Sequence, residues 1–350
     1  MTQVTLAVRR MSGTLRRSDR VLLAAAGIFA LLALAAPSQA IESLVFTIGA
    51  LGSIAPFLAL SVLLAASAKA SGVDRQIAKI FSGRQAVLIA AAALFGAFSP
   101  FCSCGVIPII AGLLRAGVPV APVMAFWISS PLMSPEMFIL TAVVLDLPFA
   151  TARAAAALVM GLGAGFATRA LARRSAFAQP LKAVGPGCGS CGSPALAEGA
   201  KIVWAFWRRR DRRETFRDEA RITGWFLLKW LTLAFVIESL MLAYLPAEAV
   251  SEWLGSDRWW VIPASVAVGV PAYLNGYAAI PTVSALMAMG MAPGATLAFM
   301  VAGGATSIPA AMAVFALVKR PVFFWYLLMG LAGSLIAGFA YQGLIAVRPA

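Results

Sequence analysis

Two cysteines stand one residue apart in a long apolar segment, where Cys102-Ser103-Cys104 lies between Pro100 and Pro108. On an α-helix, residues i and i+2 point about 200° apart, whereas an extended backbone places them on one side. The two prolines and the glycine between them predict that the helix breaks here, so that both sulfurs converge. Convergent thiolates suit a soft centre such as a trivalent metalloid or a monovalent coinage metal, for which Cys102 and Cys104 are the candidate ligands. The alternative is that both are small, well-packed apolar residues.

Two further cysteines, Cys188 and Cys191, form a Cys-x-x-Cys pair in the Gly-rich stretch 185–192. This pair could catch a soft ion before transport, or it could exchange disulfides. The chain has no histidine, so a tetrahedral zinc site within one subunit would also need Cys102 and Cys104, which the predicted topology disfavours. We expect no bound cofactor.

Two acidic residues, Glu136 and Glu238, fall within apolar segments. A charge at the bilayer centre costs about 3 kcal/mol or more, so either acid is a candidate carrier of a coupled proton. Alternatively, Glu136 caps the free N–H groups of the half-helix that follows it. Glu238 could instead pair with a basic group or lie near the membrane interface.

The composition indicates that the bilayer is the solvent for this chain. Of its 350 residues, 61% are apolar and 12% charged, and the mean hydropathy is +0.88, which exceeds what an aqueous surface tolerates. Segments long enough to cross ~30 Å of hydrocarbon recur along the chain, and several are too long to be one plain helix. They lie at 21–36, 43–68, 86–114, 119–147, 151–170, 221–246, 259–289, 293–318 and 322–346.

The net charge of +14 indicates orientation rather than nucleic-acid binding, because the basic residues cluster between the apolar segments. The arginines that precede residue 21 place the N-terminus in the cytoplasm, with the chain in a bacterial inner membrane. Residues 169–221 hold twelve basic against five acidic residues and are expected on the same side. Residues 1–40 could pass for a signal peptide, but an uncleaved first span is the more economical interpretation.

The sequence repeats itself in one ungapped register, a pattern typical of transporters. The matches include Pro108 with Pro281, Gly117 with Gly290, and Ser134 with Ser307, and we call their common spacing the repeat offset. We expect 86–114 to cross outward and 119–147 to re-enter, and 259–289 to cross inward and 293–318 to turn back, which gives the halves opposite topology. If the hairpins span fully, the basic segment instead lies outside.

The predicted fold is therefore an all-α polytopic membrane protein with two inverted structural repeats, broken helices and re-entrant hairpins, in about seven to ten membrane segments. Residues 1–42 form a basic segment and first span, and 43–170 the first repeat. Residues 171–220 form a cytoplasmic linker, in which 201–219 are expected to lie as an amphipathic helix on the inner leaflet. Residues 221–350 form the second repeat.

The counterpart of the cysteine-bearing break lies at 270–277 and is rich in polar side chains. In lipid, a broken backbone is tolerated only where protein or a water-filled cavity satisfies its free groups, so two facing breaks predict a cavity at the membrane midplane. The candidate substrate-binding residues are Cys102, Ser103, Cys104, Ser134, Tyr273, Asn275 and Tyr277.

Three stretches carry a resemblance to a known family: Ser-Pro-Phe-Cys-Ser-Cys-Gly-Val-Ile-Pro at 99–108, Ala-Gly-Leu-Leu-Arg-Ala-Gly-Val-Pro at 111–119, and Ser-Ser-Pro-Leu-Met-Ser-Pro-Glu at 129–136. From about residue 43 to 346 the chain resembles the permease family that includes the organoarsenical efflux permeases. The resemblance implies export of trivalent organoarsenicals such as methylarsenite, with Cys102 and Cys104 matching the family's paired cysteines. Many members of this family have no established substrate, so the motif indicates the fold better than the cargo.

The leading hypothesis is a secondary transporter rather than an enzyme, since no glycine-rich segment ends in the Gly-Lys-Ser/Thr of a nucleotide-binding loop. Its partners would be a small-molecule or metalloid solute and the lipid bilayer, without nucleic acid, and a homo-oligomer is compatible with the sequence. The enzymatic alternative is a thiol–disulfide shuttle between Cys188/Cys191 and Cys102/Cys104. A third hypothesis is an importer of a metal or sulfur compound.

Overall fold

A computed structural model describes residues 21–72, 84–99, 103–172, 177, 179–182, 206–244, 260–272 and 276–347. These residues are almost all helical. The helices are α1 (Val21–Ala35), α2 (Pro37–Ser71), α3 (Gln85–Ala97), α4 (Ser103–Arg115), α5 (Val120–Ser129), α6 (Pro135–Val144), α7 (Leu147–Leu171), α8 (Arg210–Tyr244), α9 (Val261–Ala272), α10 (Gly276–Ala288), α11 (Pro293–Thr306), α12 (Ile308–Leu317) and α13 (Arg320–Val347).

Local sequence explains where several helices begin. Proline stands in the first turn of α2, α6, α7, α11 and α12, where its missing N–H costs no hydrogen bond and its fixed φ suits the helix. The side chains of Ser134 and Asp146 cap α6 and α7 by accepting the backbone N–H of Met137 and Phe149. The broken segments therefore restart as helices at positions that the sequence specifies.

The helices have the length and apolarity of membrane spans. Within the described residues, five candidate spans are long and apolar enough to cross a bilayer, at Pro37–Ser71, Leu147–Leu171, Arg210–Leu240, Pro293–Leu317 and Arg320–Val347. Large apolar side chains such as Leu34, Val143 and Phe95 are exposed on the outside of the molecule, as expected where lipid is the solvent. The chain is a polytopic membrane protein.

Helix boundaries recur at the repeat offset. Five helices of the second half begin at the positions that this offset assigns to five helices of the first, which pairs residues 37 with 210, 103 with 276, 120 with 293, 135 with 308 and 147 with 320. The helix pairs α2 and α8, α4 and α10, and α6 and α12 also end at this spacing. The turns after α4 and α10 match as well, since Gly117 and Gly290 both have positive φ, of 89° and 98°.

Tertiary contacts recur at the same spacing. A Cβ atom on Gly96 would lie 2.9 Å from the carbonyl oxygen of Phe126, and one on Gly269 would lie 2.7 Å from that of Phe299. Each glycine thus lets α3 or α9 touch the backbone of α5 or α11. Gly165 packs against Ile89, Ala121 and Ala125, while Gly338 packs against their counterparts, Ile262, Gly294 and Ala298.

The α3–α4 segment begins and ends at the same end of the molecule. Gly165, near the end of α7, packs against both Ile89 near the start of α3 and Ala121 at the start of α5. Because α5 follows α4 after a short turn, the start of α3 lies near the end of α4. The expectation that 86–114 crosses the membrane is therefore wrong.

Ion pairs at this end support the correction. Arg115, the last residue of α4, and Lys69, near the end of α2, both bind the carboxylate of Glu219. A segment 86–114 that crossed outward would have placed Arg115 on the outer side, away from Lys69. A residue 104 positions away in sequence supplies the shared partner, which is why the charge pattern alone misplaced it.

The segment 119–147, expected to turn back, runs instead from this end to the other. Its last residue, Leu147, begins α7, and 18 residues of that helix, roughly 27 Å, separate it from Gly165. In the second half, α11 and α12 meet at Ser307 and together are long enough to cross a membrane, so the expectation that 293–318 turns back is wrong as well. The contacts of Gly338 correspond to those of Gly165, so the start of α9 lies beside the start of α11. Both ends of 259–289 therefore lie at one end of the molecule, and this segment does not cross.

The last residues of the predicted linker lie within a long helix. Helix α8 begins at Arg210 and continues without a break to Tyr244, so residues 210–219 belong to a spanning helix and not to a separate amphipathic helix on the membrane surface. Part of the linker is tied to the second half, because Leu181 forms a β-bridge with Val318. The N–H of Lys182 also donates to the carbonyl of Leu317.

Candidate functional site

Two helix breaks occupy matching positions in the two halves. In the first half α3 ends at Ala97 and α4 begins at Ser103, and in the second α9 ends at Ala272 and α10 begins at Gly276. Ser103, Cys104 and Tyr277 lie in the first turns of α4 and α10. Cys102, Tyr273 and Asn275 lie outside the described residues.

The first break is narrower than the sequence predicted. Unwinding was expected to extend through Cys102-Ser103-Cys104, but Ser103 and Cys104 are already helical, and Pro108 lies inside α4. Pro108 stands at the sixth position of that helix. Because only the first four N–H groups of a helix lack an intrahelical partner, Pro108 removes one backbone hydrogen bond from the second turn of α4.

The halves exchange contacts around the two breaks. Helix α4, which follows the first break, packs against α12 of the second half, and α10, which follows the second break, packs against α6 of the first. These two contacts are equivalent under the repeat offset. Each break is therefore continued by a helix that touches the opposite half, so that the candidate site lies where the halves meet.

Ser134 and its counterpart Ser307 stand at the joints where α6 and α12 begin. The Oγ atom of Ser134 accepts the N–H of Met137 at 3.2 Å, which leaves its hydroxyl proton free to donate. Glu136 follows in the first turn of α6, and its side chain is exposed. This position agrees with the alternative that Glu136 complements the positive end of the α6 dipole.

Two buried serine hydroxyls beside the first break were not predicted. Ser99 stands two residues after the end of α3, and Ser130 directly follows α5. Within the described part of the chain, the Oγ atom of each has no hydrogen-bond partner. Burying a hydroxyl without a partner is costly, so these groups are candidates to contact a solute. Their position next to Pro100 and Pro131 is the signal that sequence reasoning could have used.

Arg153 on α7 is the most deeply buried charged side chain among the described residues, and its significance was missed. It is fully buried, and its Nη1 atom donates to Thr141 Oγ1 at 3.1 Å while Nη2 lies 3.6 Å from Met137 Sδ. All three residues lie on α6 or α7, so the guanidinium fixes these two helices together. Thr141 is able to accept this bond because its own hydroxyl donates to the carbonyl of Met137.

The counterpart of Arg153 at the repeat offset is Tyr326 on α13. It is also buried, its hydroxyl donates to the carbonyl of Ala305, and its ring stacks on Trp127 with centroids 4.9 Å apart. Both halves thus place a long polar side chain from α7 or α13 into the interior. The offset itself could have revealed this pairing from the sequence.

A family of membrane proteins described as "Predicted permease", ArsP_1, matches residues 39–343. The chain belongs to this permease family. The UPF0718 protein YcgR of Bacillus subtilis (strain 168) is 32% identical over 80 residues, which cover 23% of the present permease and 27% of that relative. The aligned region thus spans about a quarter of the relative's length. No solved structure matches.

The second acidic candidate of this permease is more deeply placed than the first. Glu238, near the end of α8, is 6% exposed, and its Oε2 atom has no hydrogen-bond partner among the described residues. Glu136 and Glu238 lie on α6 and α8, and these helices pack against different neighbours. The structure therefore separates the two proton-coupling candidates.

The linker thiols Cys188 and Cys191 lie outside the described residues. Within the part of the permease that the structure describes, no three His, Cys, Asp or Glu side chains are grouped so that they could hold a metal ion. The predicted ligand pair Cys102 and Cys104 stays a prediction, because Cys102 and the side chain of Cys104 are not described.

Proposed function

We propose that this permease is a secondary-transport efflux system for trivalent organoarsenicals, or for a related thiophilic metalloid or soft-metal solute. The observation that carries the proposal is the pair of helix breaks at matching positions, one of which adjoins Cys102-Ser103-Cys104, in a chain of the permease family. The solute would pass between the breaks, where α4 and α10 meet the opposite halves.

Two thiols explain why a trivalent arsenical would be the cargo. Each thiol of Cys102 and Cys104 replaces one hydroxyl group of methylarsenite and releases it as water, with no change in oxidation state. Two sulfurs then hold one arsenic atom, and the reverse exchange with water releases it. The soft character of arsenic favours this ligand set over oxygen donors.

The proposal includes an inverted-repeat architecture. Two observations support it. The segment α3–α4 begins and ends on the side of the molecule where Lys69, Arg115 and Glu219 meet. The equivalent segment α9–α10 begins and ends near the start of α11. We propose that both are re-entrant hairpins that enter the membrane from opposite sides. Such opposed hairpins allow alternating access to a site between the halves.

The charge distribution supports one orientation for this architecture. Four basic residues stand at helix ends on the same side of the molecule as Glu219. Lys69, Arg115 and Arg169 lie in the last turns of α2, α4 and α7, and Arg320 is the first residue of α13. Placing that side in the cytoplasm satisfies the positive-inside rule. Arg115 then agrees with the rule, whereas a segment 86–114 that crossed outward would leave it as an exception.

The test is a sensitivity assay in a bacterial strain that lacks arsenical efflux, with methylarsenite, arsenite and selenite as challenges. We expect the wild-type chain to protect against methylarsenite, and Cys102→Ser and Cys104→Ser each to abolish protection, because one sulfur alone holds arsenic weakly. A Cys188→Ser/Cys191→Ser variant is the matched control for the loss of two thiols. Protection against none of the three compounds contradicts the metalloid cargo, and full protection by both single variants contradicts the thiol mechanism.

A further inference from the structure

One buried acid lies outside the proposed cargo site. Glu238 is 6% exposed on α8, and its Oε2 atom has no hydrogen-bond donor in the described residues. The neighbouring Ser239 hydroxyl donates to the carbonyl of Val236 at 2.8 Å and so does not satisfy the carboxylate. A carboxylate within a membrane span that has an unpaired oxygen is costly to keep ionised.

The helices around α8 supply little charge to compensate Glu238. Helix α8 packs against α2, α9, α12 and the 3-10 turn Phe206–Arg208. Neither α9 nor α12 contains an ionisable residue, and Arg208 precedes the start of α8, whereas Glu238 lies near the other end of that helix. Helix α2 contains Glu42, which is exposed, and Lys69, whose ammonium group binds Glu219. On α8 itself, the ammonium group of Lys229 lies over the ring of Trp225, 5.8 Å from its centroid.

The packing of the fold does not require an acid at this position. The counterpart of Glu238 at the repeat offset is Ala65 on α2, a helix with the same length as α8. An alanine therefore fills the equivalent place in the first half. Glu238 differs from this alanine in carrying a carboxylate, which is able to bind a cation.

Two helices connect Glu238 to the break that carries the cysteines. Helices α2 and α12 both pack against α8, and both also pack against α4, which begins at Ser103. A movement of α4 during transport would therefore change the surroundings of α8. This arrangement lets a change at the cargo site alter how favourably Glu238 holds a cation, which is the requirement for coupling.

We propose that Glu238 is the binding site for the proton whose inward movement drives export of the cargo. The step is the reversible addition of one proton to the carboxylate, and it needs no other reactant. The inference rests on the proposed function, because it assigns the coupling ion of the same transport cycle. Glu136 is exposed at the start of α6 and serves as the comparison.

Infrared spectroscopy on proteoliposomes tests proton binding without any cargo. We expect the carbonyl-stretch band of a protonated carboxylic acid in the wild-type protein, and its loss in Glu238→Gln. The band should persist in Ser239→Ala, which removes the adjacent buried hydroxyl, and in Glu136→Gln. A wild-type spectrum that matches that of Glu238→Gln overturns the proposal.

Everted membrane vesicles test the coupling, with methylarsenite as the probe. An imposed proton gradient should drive accumulation by the wild type but not by Glu238→Gln, while exchange of methylarsenite across the membrane without a gradient should persist in both. Gradient-driven accumulation by Glu238→Gln, or wild-type transport that ignores the gradient, overturns the role of Glu238 and leaves the proposed function intact. Failure of the wild type to move methylarsenite at all contradicts the proposed function itself.

Discussion

At the scale of single residues, glycines set how closely the helices of each half approach. A Cβ atom on Gly96 or Gly269 would lie under 3.0 Å from a backbone oxygen of the neighbouring helix, and backbone atoms have little room to move away. By contrast, a Cβ atom on Gly112 or Gly163 meets nothing within 4 Å. The same residue type therefore has two different roles, and contacts at small residues are how membrane helices pack closely.

We predict that Gly96→Ala and Gly269→Ala each destabilise the protein by about 1–3 kcal/mol through overpacking. Gly112→Ala and Gly163→Ala are the matched controls, and each should be neutral or slightly stabilising, because alanine favours a helix by about 0.5–1 kcal/mol over glycine. Thermal unfolding of purified protein in detergent measures all four. Equal midpoints for Gly96→Ala and Gly163→Ala would contradict the packing argument.

At the scale of helices, the sequence identified the breaks but not which segments cross. Pro100 and Pro271 predicted the breaks through local chemistry, and the described helices α3 and α9 end within three residues of these prolines. The direction of α4 depends instead on the contact between Arg115 and Glu219, which are distant in sequence. A charge beside an apolar segment carries no information about which distant acid it will meet.

The Lys69–Glu219–Arg115 cluster joins the ends of α2 and α4 to α8. The Glu219 side chain is only 12% exposed and binds two cations, whereas Arg210 and Glu214, 3.5 Å apart on the same helix, are 87% and 65% exposed. We predict that Glu219→Gln destabilises the protein by about 1–2 kcal/mol, because two cations lose their shared partner. Glu214→Gln should have almost no effect.

Unfolding measurements at low and high salt distinguish these two variants. The difference between the wild type and Glu219→Gln should shrink as salt rises, because screening weakens the ion pairs that the wild type still has. An equal loss of stability in Glu214→Gln would show that charge at the start of α8, rather than the cluster, is responsible.

At the scale of the whole molecule, the repeat offset carried the most information. Aligned prolines, glycines and serines predicted a repeat whose helix boundaries and glycine contacts recur at that spacing. The halves nevertheless differ where chemistry is expected, with Cys102 matching Asn275, Arg153 matching Tyr326, and Glu238 matching Ala65. Repetition therefore specifies the scaffold, while the departures from it indicate candidate functional residues, including Arg153.

The proposed opposite orientation of the halves predicts opposite accessibility at equivalent positions. Ala116 and Met289 are counterparts at the repeat offset, each in the turn after a hairpin helix. In a variant whose four cysteines are replaced by serine, we expect Ala116→Cys to react with a membrane-impermeant thiol reagent only from the cytoplasmic side, and Met289→Cys only from the outside. Right-side-out and everted vesicles measure both, and size-exclusion chromatography verifies that the cysteine-free background folds. Reaction of both positions from one side would mean that the halves have the same orientation. The two hairpins would then enter the membrane from the same side and could not provide alternating access to one site.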